Sequence, residues 1–148
     1  MTSRKIRVTL AFLLALSCFP ALVSGGERLA VSAPTANIRN GPGTNFDVIW
    51  QVEQYYPVTI LEKKDNWYKV QDFEGDIGWL HQSLLDKTAT VIVKNENTNV
   101  RSAPGTDSPV IFRVNKGVPF KCLQTQGDWI YIRHVDGDEG WIHRSLVW

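Results

Sequence analysis

The stretch Asn37-Ile38-Arg39-Asn40-Gly41-Pro42-Gly43-Thr44 returns 62 residues later as Asn99-Val100-Arg101-Ser102-Ala103-Pro104-Gly105-Thr106. Extended outward at the same offset, residues 36–84 fall on residues 98–146 without a gap. Val48, Ile49 and Val52 meet Val110, Ile111 and Val114, and Pro57, Leu61 and Trp67 meet Pro119, Leu123 and Trp129. Gly75, Asp76, Gly78 and Trp79 meet Gly137, Asp138, Gly140 and Trp141, and His81, Ser83 and Leu84 meet His143, Ser145 and Leu146. With the opening motif these make 18 identical pairs. Self-similarity at a fixed period means that one structural unit has been used twice.

Within a copy the pattern is of short strands between turns. Residues 36–39 alternate and break at Asn40-Gly41-Pro42-Gly43, a loop whose glycines permit positive φ. Strands are expected over residues 48–52, 58–62, 67–71 and 77–81, with a polar hairpin turn at 63–66 and a second turn around Gly75. A short helical turn is expected at 83–85, and residues 29–31 mirror residues 91–93 as the first strand of each copy. No helical period lasts long enough to bury a face, and no segment has room for a crossover helix. The fold class is therefore all-β: two small, partly open antiparallel barrels in tandem after an N-terminal signal segment. A domain of roughly 60 residues buries only about 60% of its unfolded surface, so the copies are expected to lean on each other.

The expected division is a signal peptide at residues 1–26, a first domain at 27–86 and a second at 87–148, with a short polar hinge at 86–90. Arg4, Lys5 and Arg7 precede an apolar run from Val8 to Phe19, and Ser24, Gly25 and Gly26 follow. A basic head, a short apolar centre and a small-residue exit describe a secretory leader. An uncleaved anchor, or lipid carried on Cys18, are the competing readings. The expected location is periplasmic or secreted, in the cell envelope, without a membrane span in the mature form.

The full chain of 148 residues carries 16 basic and 15 acidic side chains. Without residues 1–26, which hold three basic and no acidic ones, 13 stand against 15, a net charge of −2. So neutral a chain lacks the basic stripe that phosphate binding requires, which argues against nucleic acid as a partner. Only Cys122 remains of the two cysteines, so no internal disulfide is expected. Its counterpart is Ile60, which points to a buried small hydrophobe.

The Asn-x-Arg strand entering a Gly-Pro-rich loop, at Asn37–Thr44 and again at Asn99–Thr106, resembles the opening signature of bacterial Src-homology-3 domains (SH3b, SH3-like). Trp67 followed by Gly78-Trp79, and Trp129 followed by Gly140-Trp141, are similar to the family's second mark. The resemblance covers nearly all of the chain after the leader. It implies a five-stranded, partly open barrel of the kind found in exported bacterial proteins, beside cell-wall hydrolases or alone. The implied ligands are peptidoglycan peptides and protein segments. The proline-rich recognition of the eukaryotic relatives is not implied, because no tyrosine-rich loop follows the first strand.

Cys122 could be drawn with His134 and His143 as a thiol pair, yet Ile60 and Asp72 stand at the first two of those places in the first copy. No catalytic residue and no cofactor is expected. His81 and His143 offer one ligand per copy, too few for a metal, and are expected to cap the turns at Ser83 and Ser145. Trp79 and Trp141 are expected to pack, whereas Trp67 and Trp129, beside polar turns, could form a partly exposed shelf. Arg39 and Arg101 could grip a carboxylate or pair with a loop acid such as Asp76 or Asp138. The loop residues Asn40, Asn45, Ser102 and Asp107 differ between copies, so the domains need not bind alike. The expected ligand site is thus Arg39, Asn40, Asn45 and Trp67 in one copy and Arg101, Ser102, Asp107 and Trp129 in the other. It would be a groove between the 39–48 loop and the 63–67 turn. Two functions follow: a non-catalytic module that binds cell-wall peptide or an envelope protein, and an adaptor that docks a partner along a strand edge.

Overall fold

The structure, a computed structural model, describes residues 26–148; the leader read at 1–26 lies, but for Gly26, outside the described residues. The first copy comprises β1 (Arg28–Val31), β2 (Thr35–Arg39), β3 (Val48–Glu53), β4 (Pro57–Lys64), β5 (Trp67–Gln71), β6 (Ile77–His81) and β7 (Leu85–Asp86). The second comprises β8 (Thr90–Ile92), β9 (Thr98–Arg101), β10 (Val110–Val114), β11 (Pro119–Gln126), β12 (Trp129–Arg133) and β13 (Glu139–His143). The sheets run β3-β2-β6-β5-β4-β1-β7 and β10-β9-β13-β12-β11-β8, with every pairing antiparallel. An isolated bridge from Val93 to Val147 stands where β1 meets β7 in the first copy. The helical turns are single 3-10 turns at Gln82–Leu84 and Arg144–Leu146.

Alternation along the strands sorts the side chains. In β2, Ala36 and Ile38 face inward while Asn37 and Arg39 stay half-buried on the other face. In β6, Gly78 and Leu80 face inward while Trp79 and His81 face out. Val31, Ile38, Val52, Val58, Val70 and Leu80 form the first core. Val93, Val100, Val114, Phe120, Ile132 and Ile142 form the second. Each such side chain contributes about 1.5–3 kcal/mol when fully withdrawn from water. The expectation that Trp79 and Trp141 pack in the cores is corrected: both lie half-buried on the outer face, since their neighbours Gly78, Leu80, Gly140 and Ile142 take the inward positions. There Trp141 lies against Tyr131, with ring centroids 5.1 Å apart.

The two copies repeat each other even in their irregularities. Register shifts leave Ile49 unpaired opposite β2 and Ile111 unpaired opposite β9, and likewise Leu61 in β4 and Leu123 in β11. A bulge adds one residue to one strand, bends it and increases its twist, as a small coiled sheet requires. All four bulge residues are apolar and exposed, Ile49 at 44% and Ile111 at 50%.

The opening loop departs from its expected reading. Gly41 and Gly43 are not at positive φ, whereas Gly105 is, at +123°. Gly41 is needed for space instead, because the Phe46 ring lies where its Cβ would be. In the second copy Ser108 replaces Phe46, and Ala103 is tolerated in place of Gly41.

The copies touch through residues that break the repeat. The Arg28 guanidinium lies 4.0 Å from the Trp148 ring centroid, and Lys116 forms an ion pair with Glu74 while lying 5.9 Å from the Phe73 ring. Their counterparts are Thr90, Asp86, Gln54, Asp136 and Val135, none of which reproduces the contact.

Candidate functional site: twin grooves on the outer face

Strand pairing places Arg39 opposite Trp79 and Trp67 opposite His81, so all four side chains share the outer face of the first sheet. Arg101 with Trp141 and Trp129 with His143 do the same in the second. Beside each set lies a groove, of about 300 Å³ in the first copy and about 390 Å³ in the second. Asn37, Arg39, Thr44, Trp67, His81, Ser83 and Leu84 line the first. Their identical counterparts, from Asn99 to Leu146, line the second.

Each groove residue is held in place. Arg39 donates from Nη1 to the carbonyls of Phe46 at 2.7 Å and Thr44 at 3.2 Å, folding the 40–47 loop back over β2. Arg101 donates to Ser108 O at 2.7 Å. The expected pairing of these arginines with Asp76 and Asp138 does not occur, because the backbone amides at 76 and 138 belong to turns organised by Asp72 and Asp136 and the guanidiniums face the opening loop. Among the described residues neither arginine has an ion-pair partner.

His81 caps its 3-10 turn as expected: Nδ1 accepts the Ser83 N–H at 3.2 Å and lies 2.7 Å from Ser83 Oγ. His143 and Ser145 repeat the arrangement at the same distances. A ring nitrogen that accepts a backbone N–H carries no proton, so the neutral imidazole bears its hydrogen on Nε2. Trp67 and Trp129 are half-buried and stand edge-to-face against His81 and His143, with centroids 5.2 Å apart in both copies. The side-chain oxygen of Asn37 accepts from Gln51 at 2.7 Å, and that of Asn99 accepts from Arg113 at 3.0 Å.

The structure thus brings Arg39 together with Trp67, and Arg101 with Trp129. Asn40, Asn45, Ser102 and Asp107 sit outside both grooves, exposed along the opening loops. Asn40 and Ser102 close those loops with backbone bonds to Asp47 O and Pro109 O, each at 3.0 Å. The second wall is the 3-10 turn at His81–Leu84 in place of the 63–66 hairpin. The groove residues that sequence reasoning did not assign to the site are Asn37, Thr44 and Leu84, together with His81 and Ser83, which it read only as a turn cap, and their counterparts. Their signal was present, since each is one of the identical pairs.

Cys122 is half-buried and packs against the second core, and burial pushes its thiol pKa up. That is opposite to the direction an activated nucleophile needs. Among the described residues no three His, Cys, Asp or Glu side chains converge as metal ligands. Nor is any helix there long and apolar enough to cross a membrane.

Two coiled antiparallel sheets of this strand order, each with an outer groove beside its opening loop, define a tandem pair of small SH3-like domains. The bacterial SH3 domain family matches residues 32–87 and again residues 94–148, and the chain belongs to it. The chain is 24% identical over 140 residues to "Putative N-acetylmuramoyl-L-alanine amidase YrvJ" of Bacillus subtilis, covering 87% of this chain and 27% of that protein. It is 33% identical over 61 residues to "Probable cell wall amidase LytH" of Staphylococcus epidermidis, covering 40% of this chain and 21% of that protein. The chain therefore spans about a quarter of the length of these relatives. Among solved structures, an NlpC/P60 family protein from Bacillus cereus aligns with a TM-score of 0.40 at 13% identity, over 82% of this chain and 56% of that one.

Proposed function

We propose that the chain is an exported, non-catalytic module that holds cell-wall peptide in its two grooves. The observation that carries this is the groove lining itself: seven positions are identical between the copies and meet around one cleft in each. A core needs only volume and apolarity to be kept, whereas these residues are polar or half-exposed. The names of the two amidases support a cell-wall setting, and the family that matches both copies of this chain is the bacterial SH3 domain. In this reading the chain supplies attachment, and any bond cleavage belongs to another protein or domain. Two weak sites on one short linker give a higher effective affinity for a polymeric wall than either gives alone.

Retention of the purified protein on insoluble peptidoglycan tests this. Trp67→Ala and Trp129→Ala should each weaken retention, and the double variant should weaken it by more than either. Retention unaffected by the double variant removes the grooves from the account.

A second reading has a specific observation behind it. The outer strands β3 and β10 carry the exposed apolar pairs Val48-Ile49 and Val110-Ile111. An edge of this kind suits an adaptor that takes a protein partner's strand. No retention of the unmodified protein on peptidoglycan, with capture of an envelope protein that is lost in Ile49→Lys and Ile111→Lys and kept in the tryptophan variants, would favour it.

A further inference from the structure

We infer that each groove grips the carboxylate end of a short peptide, with the first copy the stronger receptor. This rests on the cell-wall reading and names the part of the ligand that the groove holds.

The groove is a set of donors around one unneutralised cation. Arg39 spends Nη1 on loop carbonyls, and its Nε and Nη2 have no protein acceptor among the described residues. The Asn37 oxygen already accepts from Gln51, and its NH2 has no protein acceptor among the described residues and remains to a ligand. His81 accepts through Nδ1, which leaves Nε2–H as its free hydrogen-bonding group. All three therefore offer hydrogen, and none of them carries negative charge. No residue lining the first groove is acidic. The acceptors on the wall, the Gln51 amide oxygen and the hydroxyls of Thr35, Thr44 and Ser83, are all neutral, so an ammonium would meet an unpaired guanidinium with no counter-charge, whereas a carboxylate would find several donors, with bonds strengthened by its charge.

The rest of the groove argues for a carboxylate at the end of a small apolar residue. Leu84 gives an aliphatic surface beside the donors, and the Trp67 ring closes one side. At about 300 Å³ the space is at the low end for ligand sites, which run from roughly 300 to 1,000 Å³, and so suits a chain terminus. A single arginine matches one negative charge, whereas a phosphate dianion would ask for more. In the second copy Asn99, Arg101 and His143 repeat the donors, but Glu96 stands on the wall where the first copy has Pro34. Its Oε2 accepts the Lys116 backbone N–H at 3.4 Å. That carboxylate repels another, so the second groove is the weaker one. Arg113 donates from Nε to the Asn99 oxygen at 3.0 Å and is not among the residues lining the second groove.

The test uses the exported protein and N-acetyl-alanyl-alanine, alongside the same dipeptide as its C-terminal amide, with the Trp67 and Trp129 indole N–H signals followed by NMR. The acid should shift both signals, Trp67 at lower concentration, and the amide should bind about tenfold more weakly. Glu96→Gln, an exposed change that keeps an oxygen for the Lys116 N–H, should tighten the acid at Trp129 several-fold and leave Trp67 unchanged. Equal binding of acid and amide would overturn the inference, as would an unchanged Trp129 response in Glu96→Gln. Inorganic phosphate shifting the indoles as well as the acid does would show a general anion site and overturn it too. No indole response to the acid, with retention on peptidoglycan intact, sinks the inference alone. Loss of retention by the unmodified protein sinks the cell-wall reading instead.

Discussion

The Cγ2 methyl of Ile38 occupies the space where a side chain on Gly78 would begin, with Arg39 O and Ile49 Cδ1 each 3.2 Å from the same point. The second copy repeats this: a Cβ on Gly140 would lie 2.6 Å from Val100 Cγ1, 2.8 Å from Ile111 Cδ1 and 3.0 Å from Arg101 O. The glycine before Trp79 and Trp141 is thus a place where β2 and β6, or β9 and β13, cross too closely for a methyl group. Gly78→Ala and Gly140→Ala should each destabilise their copy by about 1–3 kcal/mol, the usual cost of overfilling a packed site. Urea unfolding followed by amide signals in each copy checks this, and a midpoint unchanged from the parent would refute it.

Asp72 ties the first copy's second turn to its core. Its carboxylate accepts the Tyr56 hydroxyl at 3.0 Å and the Glu74 and Asp76 backbone N–H groups at 2.9 Å. Burial, and then the Asp72 charge, push the Tyr56 phenol pKa above its ordinary 10. Tyr56→Phe should cost about 1–2 kcal/mol, since a buried acceptor loses a donor while the ring still packs. The second copy, with Val118 and His134 at these positions, should be indifferent to it. Unfolding midpoints for the two copies, read separately, decide the matter.

Acid should weaken the second copy in a way the first does not share. The Tyr131 hydroxyl and then Arg133 donate to Glu139, each at 2.7 Å, and hold its carboxyl below the ordinary 4.5. A carboxyl whose pKa is depressed by folding adds stability that is fully present above its unfolded value and is lost as pH falls through the folded one. Stability of the second copy should therefore drop as pH falls below 4.5, and Glu139→Gln should flatten that limb. Ile77 stands at the matching place in the first copy and contributes nothing of the kind. Parallel acid limbs for parent and Glu139→Gln would refute the assignment.

Arg39 serves the loop whether or not a ligand is present. Arg39→Ala removes the bonds to Thr44 O and Phe46 O and should speed exchange of the Asn40 amide, which donates to Asp47 O, by about tenfold. Hydrogen exchange measured by NMR gives the answer directly. If the Asn40 amide exchanges at the parent's rate, the loop is held by its own backbone and the arginine is free for other work.

What the sequence by itself determined is the unit and its duplication. The offset of 62 residues, the turn residues around Gly75 and Gly137, and the alternation of β2 and β6 all report local backbone preference and burial, which neighbouring residues encode. The caps made by His81 and His143 were legible for the same reason, being contacts across two residues. Tertiary structure alone decided what meets what across the sheet. Only pairing of β2 with β6 and β5 with β6 brings Arg39, Trp67 and His81 to one face, from positions 28 and 14 residues apart in the chain. Only the approach of β2 to β6 shows why Gly78 cannot carry a side chain. Arg39 likewise turned to loop carbonyls in preference to Asp76, because a guanidinium takes the acceptors that the folded backbone places in reach, and charge in the sequence does not disclose that distance.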